Sequence, residues 1–164
     1  MRKVGIVMGS DSDLPIIKKA TDTLDAFSIP YEVHIYSAHR TPEQAKNFAA
    51  SAADNGFGAI IAAAGMAAHL AGAIAANTVL PVIGIPCKST TLDGIDALLS
   101  TVQMPSGIPV ATVAINGGVN AALLCAEILA VEDNELRQKL IDKRNKDAAA
   151  VLAKDADVMN KLKD

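Results

Sequence analysis

The sequence has no tryptophan, 3% aromatic residues and two cysteines among 164 positions. Cys87 and Cys125 are too few, and too far from a second His/Cys pair, to make a zinc site. With no disulfide framework in prospect, they read as reduced thiols of a cytoplasmic protein. Strong charge of either sign is missing as well. A net charge of -3 gives no global attraction to nucleic acid or to an acidic membrane. A spanning helix needs about 20 consecutive, strongly apolar residues. The uncharged stretch from Asn55 to Cys87 is rich in Ala and Gly and broken by His69, Asn77, Thr78, Pro81 and Pro86, so no membrane span is expected. The short apolar run after Met1-Arg2-Lys3 does not make a secretory signal. There is no G-x-G-x-x-G, no P-loop and no H-E-x-x-H, which argues against a standard dinucleotide, nucleoside triphosphate or zinc-hydrolase site. No carboxylate pair sits at the strand ends and no Ser/His/Asp set is in evident order.

What the sequence does have is apolar content, at 51%, which excludes disorder. This length supports one sizeable core. Charge is distributed unevenly: between Gly56 and Val131 only Lys88, Asp93, Asp96 and Glu127 carry any. A charge-poor middle half implies buried strands together with a buried subunit interface. Strand-like runs at Lys3–Met8, Tyr31–Tyr36, Gly58–Ala63, Pro81–Ile85 and Val110–Ile115 alternate with helical segments. Ile16, Ile17, Ala20, Leu24 and Phe27 form one helical stripe. Thr41-Pro42-Glu43-Gln44 reads as a helix start, with Thr41 as cap and Gln44 completing a capping box. A charged amphipathic helix is expected from about Asn134 to Leu152. Alternating strands and helices imply right-handed βαβ units. The expectation is one α/β domain over residues 1–164: a three-layer α/β/α sandwich with a parallel, flavodoxin-like sheet, closed by a C-terminal helix and tail from about residue 132.

Ligands bind such sheets beyond the carboxyl ends of the strands. Three polar segments fall there. Gly9-Ser10-Asp11-Ser12-Asp13 could hold a phosphate on backbone N–H groups and hydroxyls, with Asp13 accepting from ribose hydroxyls; taken alone, the segment favours the plainer reading that Ser12 or Asp13 caps the next helix. Ser37-Ala38-His39-Arg40-Thr41-Pro42 places a titratable imidazole beside a guanidinium whose fork suits phosphate oxygens. Ala64-Gly65-Met66-Ala67-Ala68-His69-Leu70 has small residues that let backbone approach a flat ligand, with His69 near a helix start. His34, inside a strand, reads as structural, and Cys87 as packing rather than a nucleophile.

Together these segments resemble the PurE family of purine biosynthesis, specifically the class I N5-carboxyaminoimidazole ribonucleotide mutases. The resemblance rests on Gly9-Ser10-x-Ser12-Asp13, Ser37–Pro42, Ala67-Ala68-His69-Leu70, Pro81-Val82-Ile83-Gly84-Ile85-Pro86 and the run from Val102 to Ile115, in this order and spacing. It implies a homo-octamer and a reaction without metal, nucleotide or biotin. Carried over to these positions, it assigns the 5'-phosphate to Ser10 and Arg40 with help from Ser12 and Ser37, and the ribose to Asp13. Ala38 lines the same loop. Ala64, Gly65, Ala67, His69 and Leu70 pack on the imidazole and shape a dry pocket for the carboxyl group, and His39 shuttles the proton. Met66, Ala71 and the short Ile115-Asn116-Gly117-Gly118 turn depart from the family pattern. A direct carboxylase of the related class II kind, and a non-catalytic nucleotide-binding module, are the alternatives.

Overall fold

The computed structural model describes residues 1–162. Within its sheet, strand β1 (Lys3–Met8) pairs in parallel with β2 (Tyr31–Ile35) on one side and β3 (Phe57–Gly65) on the other. Strands β4 (Val82–Cys87) and β5 (Ala111–Thr112) extend the sheet beyond β3, so the order is β2-β1-β3-β4-β5 with every pair parallel. This is the flavodoxin-like order that was expected, although alternation of strands and helices alone does not fix strand order. Parallel neighbours require crossovers, and helices α1 (Leu14–Ala26), α2 (Pro42–Ser51), α3 (Leu70–Ala75) and α4 (Ile95–Val102) lie in them. Helices α5 (Gly118–Leu129) and α6 (Asn134–Lys161) follow β5.

Successive side chains point to opposite faces of a strand, and the two faces bury separate cores. Val4, Ile6 and Met8 join Ala59, Ile61, Ile83 and Ile85 beneath α1, α5 and the start of α6. Val7, Ile60, Ala62 and Val82 pack against α2 and α3. Covered on both sides, β3 and β4 need apolar residues at nearly every position, which accounts for much of the charge-poor middle. Helices α1 and α5 approach closely: a Cβ at Gly118 would come within 2.4 Å of the Ile16 carbonyl oxygen, so no other residue fits there unshifted.

Two elements differ from expectation. The fifth strand was expected over Val110–Ile115, yet only Ala111–Thr112 forms a ladder. The Val113 N–H still donates to the Gly84 carbonyl, but Pro86 of β4 has no N–H to return the next bond, and the ladder stops. The last helix runs 28 residues, to Lys161 rather than Leu152. Asp133 caps it by accepting from the Leu136 N–H at 2.9 Å. Only Leu136 and Leu140 are buried, and every described residue from Arg144 onward is exposed. Ion pairs Lys143–Asp147 and Lys161–Asp157 brace that half at i, i+4 spacing. Among the described residues, no helix is long and apolar enough to cross a membrane.

Candidate active site

Because β1 lies between β2 and β3, the loops leaving these three strands are neighbours. Met8 stands opposite both Ile35 and Ala63 in the register. The Tyr36 N–H donates to the Met8 carbonyl at 3.0 Å and the Gly9 N–H to the Ala63 carbonyl at 3.1 Å. All three sequence-predicted segments therefore rise side by side from the carboxyl edge of the sheet.

In the first loop, Ser10 has extended backbone (φ -154°) and caps a 3-10 turn at Asp11–Asp13, its Oγ accepting from the Ser12 N–H at 3.3 Å. The same hydroxyl donates to Asp11 Oδ1 at 3.2 Å. Capping by Ser12 or Asp13 is thus corrected: Ser10 caps the short turn, and Asp13 makes no capping bond to α1. Asp13 instead folds inward and is only 8% exposed. Burial pushes its pKa above the ordinary 3.8, while hydrogen bonds from the Cys87 thiol and the Ser10 backbone pull it back, and Asp11 adds a further rise.

The second loop is closed by its own hydroxyls. Ser37 Oγ accepts from the N–H groups of His39 (3.3 Å) and Arg40 (3.1 Å). Thr41 Oγ1 accepts from the Ser37 N–H at 2.8 Å and lies 3.2 Å from the Ser37 carbonyl, to which it can donate. This corrects the capping box: Thr41 precedes α2, but its side chain makes no capping bond, because both its hydrogen-bonding directions serve the Ser37 turn. Arg40 Nη2 donates to the Gly9 carbonyl at 2.9 Å and ties the second loop to the first. Ser37 and Ala38 are half-buried, while His39 and Arg40 are exposed at the rim.

In the third loop, Ala64 and Gly65 continue β3, and left-handed backbone follows at Met66 (φ 53°) and His69 (φ 58°). Each such residue costs about 1–2 kcal/mol outside glycine, so the turn around Ala67-Ala68 is held by its surroundings. His69 precedes α3, as expected. Its Nδ1 lies 2.7 Å from the Ser100 carbonyl oxygen. A carbonyl only accepts, so Nδ1 carries the hydrogen and the neutral ring has its lone pair on Nε2. That edge lies on Gly72, where an added Cβ would sit 2.1 Å from Nε2. The His69 ring is therefore committed to α3 and α4. Leu70 is buried beneath the loop in the α2/α3 core, within 3.9 Å of where a Cβ on Gly9 would stand. Met66 is exposed, and Ala71 is buried.

Three contributors escaped the sequence reading. Ser100 anchors His69 through a backbone carbonyl, which carries no sequence signature. Asn116, in the Ile115–Gly118 turn, uses left-handed backbone (φ 59°) to accept from the Lys88 N–H at 2.8 Å and to donate to the Pro86 carbonyl at 2.8 Å, joining the loops after β4 and β5. Cys87 reaches Asp13 from the end of β4. His34 stacks on Tyr36 with centroids 4.8 Å apart, as a structural residue would. Among the described residues there is no cluster of three or more His, Cys, Asp or Glu that could hold a metal ion.

The arrangement combines anion-suited hydroxyls and a guanidinium, a buried carboxyl and an accessible imidazole at the carboxyl edge of a flavodoxin-like sheet. These define a small-molecule α/β site equipped to hold a phosphorylated ligand and to move a proton. The match becomes specific over residues 3–150, which fit the family model for AIR carboxylase, and the chain belongs to that family. It is 60% identical over 137 residues to the N5-carboxyaminoimidazole ribonucleotide mutase of Pyrococcus horikoshii, covering 84% of this chain and 77% of that one. Identity to the enzyme of the same name from Thermotoga maritima is 51% over 154 residues, covering 94% and 90%. The crystal structure of Treponema denticola PurE superposes with a TM-score of 0.84 at 32% identity, covering 93% of this chain and 96% of that one.

Proposed function

We propose that this chain is an N5-carboxyaminoimidazole ribonucleotide mutase of de novo purine biosynthesis, an isomerase that moves a carboxyl group from the exocyclic nitrogen to ring carbon C4 and so forms 4-carboxy-5-aminoimidazole ribonucleotide. The observation that carries this reading is the 60% identity, over most of the chain, to a protein of that name. Ser10 and Arg40, with Ser12 and Ser37, take the 5'-phosphate, and Asp13 takes the ribose. Tethering of Arg40 to Gly9 supports a shared phosphate site, since it places the guanidinium over the Ser10 loop. Ala38 backs the second loop. Ala64, Gly65 and Ala67 present small surfaces to the flat imidazole, while His69 and Leu70 hold that loop in shape.

His39 is the proton shuttle. Protonating the carbamate nitrogen of the substrate breaks its N–C bond and releases CO2, and the amine so formed makes C4 nucleophilic. C4 attacks the retained CO2, and the proton left on C4 must then be removed. The imidazole that donates in the first step is the base that the last step needs, so one residue serves both. Nothing in this sequence calls for a metal or an organic cofactor. Closure around the Ala64–Leu70 loop keeps CO2 from escaping.

The working assembly is a homo-octamer in the cytoplasm, with the whole chain acting as one domain. An unpartnered apolar stripe supports assembly: Leu92, Ile95, Leu99 and Val102 recur at three- and four-residue spacing on α4 and its preceding turn, each about half exposed.

The test is turnover of each imidazole ribonucleotide by purified protein, with and without bicarbonate, alongside His39→Asn. Conversion of the N5-carboxy substrate without bicarbonate is expected, with kcat reduced about 10²–10⁴-fold in the variant and binding preserved. Turnover only of the uncarboxylated nucleotide with bicarbonate would replace the mutase by a carboxylase. Near wild-type kcat in His39→Asn would remove His39 from the mechanism.

A further inference from the structure

Lys88 follows β4, the strand next to β3 on the side away from β1. Ala64 pairs with Pro86 and Gly65 with Cys87 in the β3–β4 register. One step further brings Lys88 beside Met66, where the Ala64–Leu70 loop turns. Alternation along β4 puts Lys88 on the same face as Gly84, which packs against Ala71 of α3 and Thr101 of α4. That is the face on which His69 joins the start of α3 to α4. The residue is fixed at its backbone and loose at its tip. Its N–H donates to Asn116 Oδ1 at 2.8 Å. Gly94, with left-handed backbone (φ 94°), folds the following loop back until a Cβ there would stand 3.2 Å from Lys88 Cα. The ammonium pairs with Asp93 Oδ1 at 2.9 Å, and both side chains are more than half exposed. Exposed pairs hold weakly, so this ammonium can change partners. Beside it, Ser89 Oγ is buried and has no hydrogen-bond partner. Asp96 and Thr112 each bury such an oxygen too, but they lie within α4 and β5, and Ser89 alone of the three stands in a loop at the carboxyl edge.

We propose that Lys88 takes the carboxylate of the substrate, and so discriminates carboxylated from uncarboxylated aminoimidazole ribonucleotides. The inference rests on the mutase reading and on its assignment of the phosphate. A mutase substrate carries two anions, the 5'-phosphate at one end and the carbamate at the other. Among the described residues, the segments leaving the strand carboxyl ends hold two permanent cations, Arg40 and Lys88. Arg40, after β2, serves the phosphate. With strands about 4.8 Å apart, β4 lies about 12 Å from the midline between β2 and β1. That is close to the extended reach of the ribonucleotide from phosphorus to carboxyl carbon. Strand order thus lays the ligand out, with phosphate over β2 and β1, ring on the loop after β3, and carboxyl beside β4. The flexible Lys88 stem closes the remaining gap, and Ser89 Oγ supplies a second donor. The contact acts on binding rather than on rate. When the N–C bond breaks, the carboxylate becomes neutral CO2 and the ammonium loses its partner. Lys88 therefore stabilises bound substrate and product more than the step between them.

The test is calorimetric titration with 4-carboxy-5-aminoimidazole ribonucleotide and with 5-aminoimidazole ribonucleotide, beside steady-state kinetics of the mutase reaction. Wild type is expected to bind both, the carboxylated one more tightly. Lys88→Met keeps the stem and loses the charge. It is expected to weaken the carboxylated nucleotide about fivefold and to leave the other within twofold. Its KM is expected to rise about fivefold with kcat unchanged or higher, the mark of lost ground-state binding. Lys88→Arg keeps a cation and is expected to stay within twofold of wild type. Asp93→Asn frees the ammonium and is expected to tighten the carboxylated nucleotide about twofold. Failure of wild type to bind either nucleotide would overturn the mutase reading and this inference with it. Where wild type binds both, equal losses, no loss, or a fall in kcat alone in Lys88→Met would overturn the inference by itself. So would weakened binding in Asp93→Asn, since that marks the ion pair as a brace of the loop.

Discussion

Replacing Gly72 by alanine should separate the stability of this protein from its activity. The new Cβ would stand 2.1 Å from His69 Nε2, 2.3 Å from Cε1 and 2.8 Å from Cδ2. Ordinary contact begins near 3.4 Å, so the ring must retreat by about 1.3 Å. A shift of that size away from the methyl breaks the 2.7 Å hydrogen bond to Ser100. The Ser100 carbonyl lies in the last turn of α4, where carbonyls lack helical partners, so the loss costs about 1 kcal/mol. Alanine is about 1 kcal/mol better than glycine within a helix, and the two effects nearly cancel. The melting temperature should therefore move by no more than a few degrees. Activity should not be spared, because His69 and the Ala67-Ala68 turn it holds move together. A misplacement of about 1 Å is worth roughly 10² in rate. The check is thermal unfolding beside kcat/KM for the mutase reaction. A variant with kcat/KM within twofold of wild type would refute the argument that the His69 ring fixes this loop. A collapse in melting temperature would refute the balance of energies.

Asp13→Asn should stabilise the fold while impairing function. Burial raises the Asp13 pKa in the folded protein, so the folded state prefers the protonated carboxyl. Ionisation then weakens folding, a penalty absent below the ordinary pKa and growing as pH rises through the folded one. The variant should melt above wild type at pH 7, with the difference closing towards pH 3; a lower melting temperature at pH 7 would contradict this. Burial pushes the Cys125 thiol up to about 12 and the Cys87 thiol up as well. Ellman's reagent at pH 8 should label neither thiol in the native protein and both in denaturant. Leu99→Asp places a charge in the exposed stripe of α4, and light scattering should report a smaller particle than wild type, with retained helicity by circular dichroism.

Much of the fold was legible because strands buried on both faces announce themselves. Ile60, Ile61, Ile83 and Ile85 leave no solvent face to read, and short apolar runs between helical stripes imply parallel pairing. The failures share one physical cause, namely that a residue's partner decides its role. Val110–Ile115 has strand composition throughout, but Pro86 on the neighbouring strand ends the ladder early. Thr41 has the sequence context of a cap, yet its hydroxyl is taken by Ser37, four residues back. The site loops were found because their polar residues interrupt apolar runs at strand ends. Their supports were not: Ser100 acts on His69 across 31 residues through a backbone atom, and Asn116 lies beyond the last strand, remote in sequence from the Lys88 N–H it accepts.

The position of β1 between β2 and β3 also orders events in time. β1 leaves the ribosome before both of its partners, β2 and β3. The Ser10 and Arg40 loops can meet once β2 has docked. The Ala64–Leu70 loop joins them only when β3 has inserted on the other side of β1, and Cys87 reaches Asp13 only after β4 follows. Until then an apolar strand has one or both edges open, the condition in which chains aggregate. A nascent chain stalled between β2 and β3 would thus carry the Ser10 and Arg40 loops without the Ala64–Leu70 loop, beside an exposed β1 edge, and would depend most on chaperones at that length.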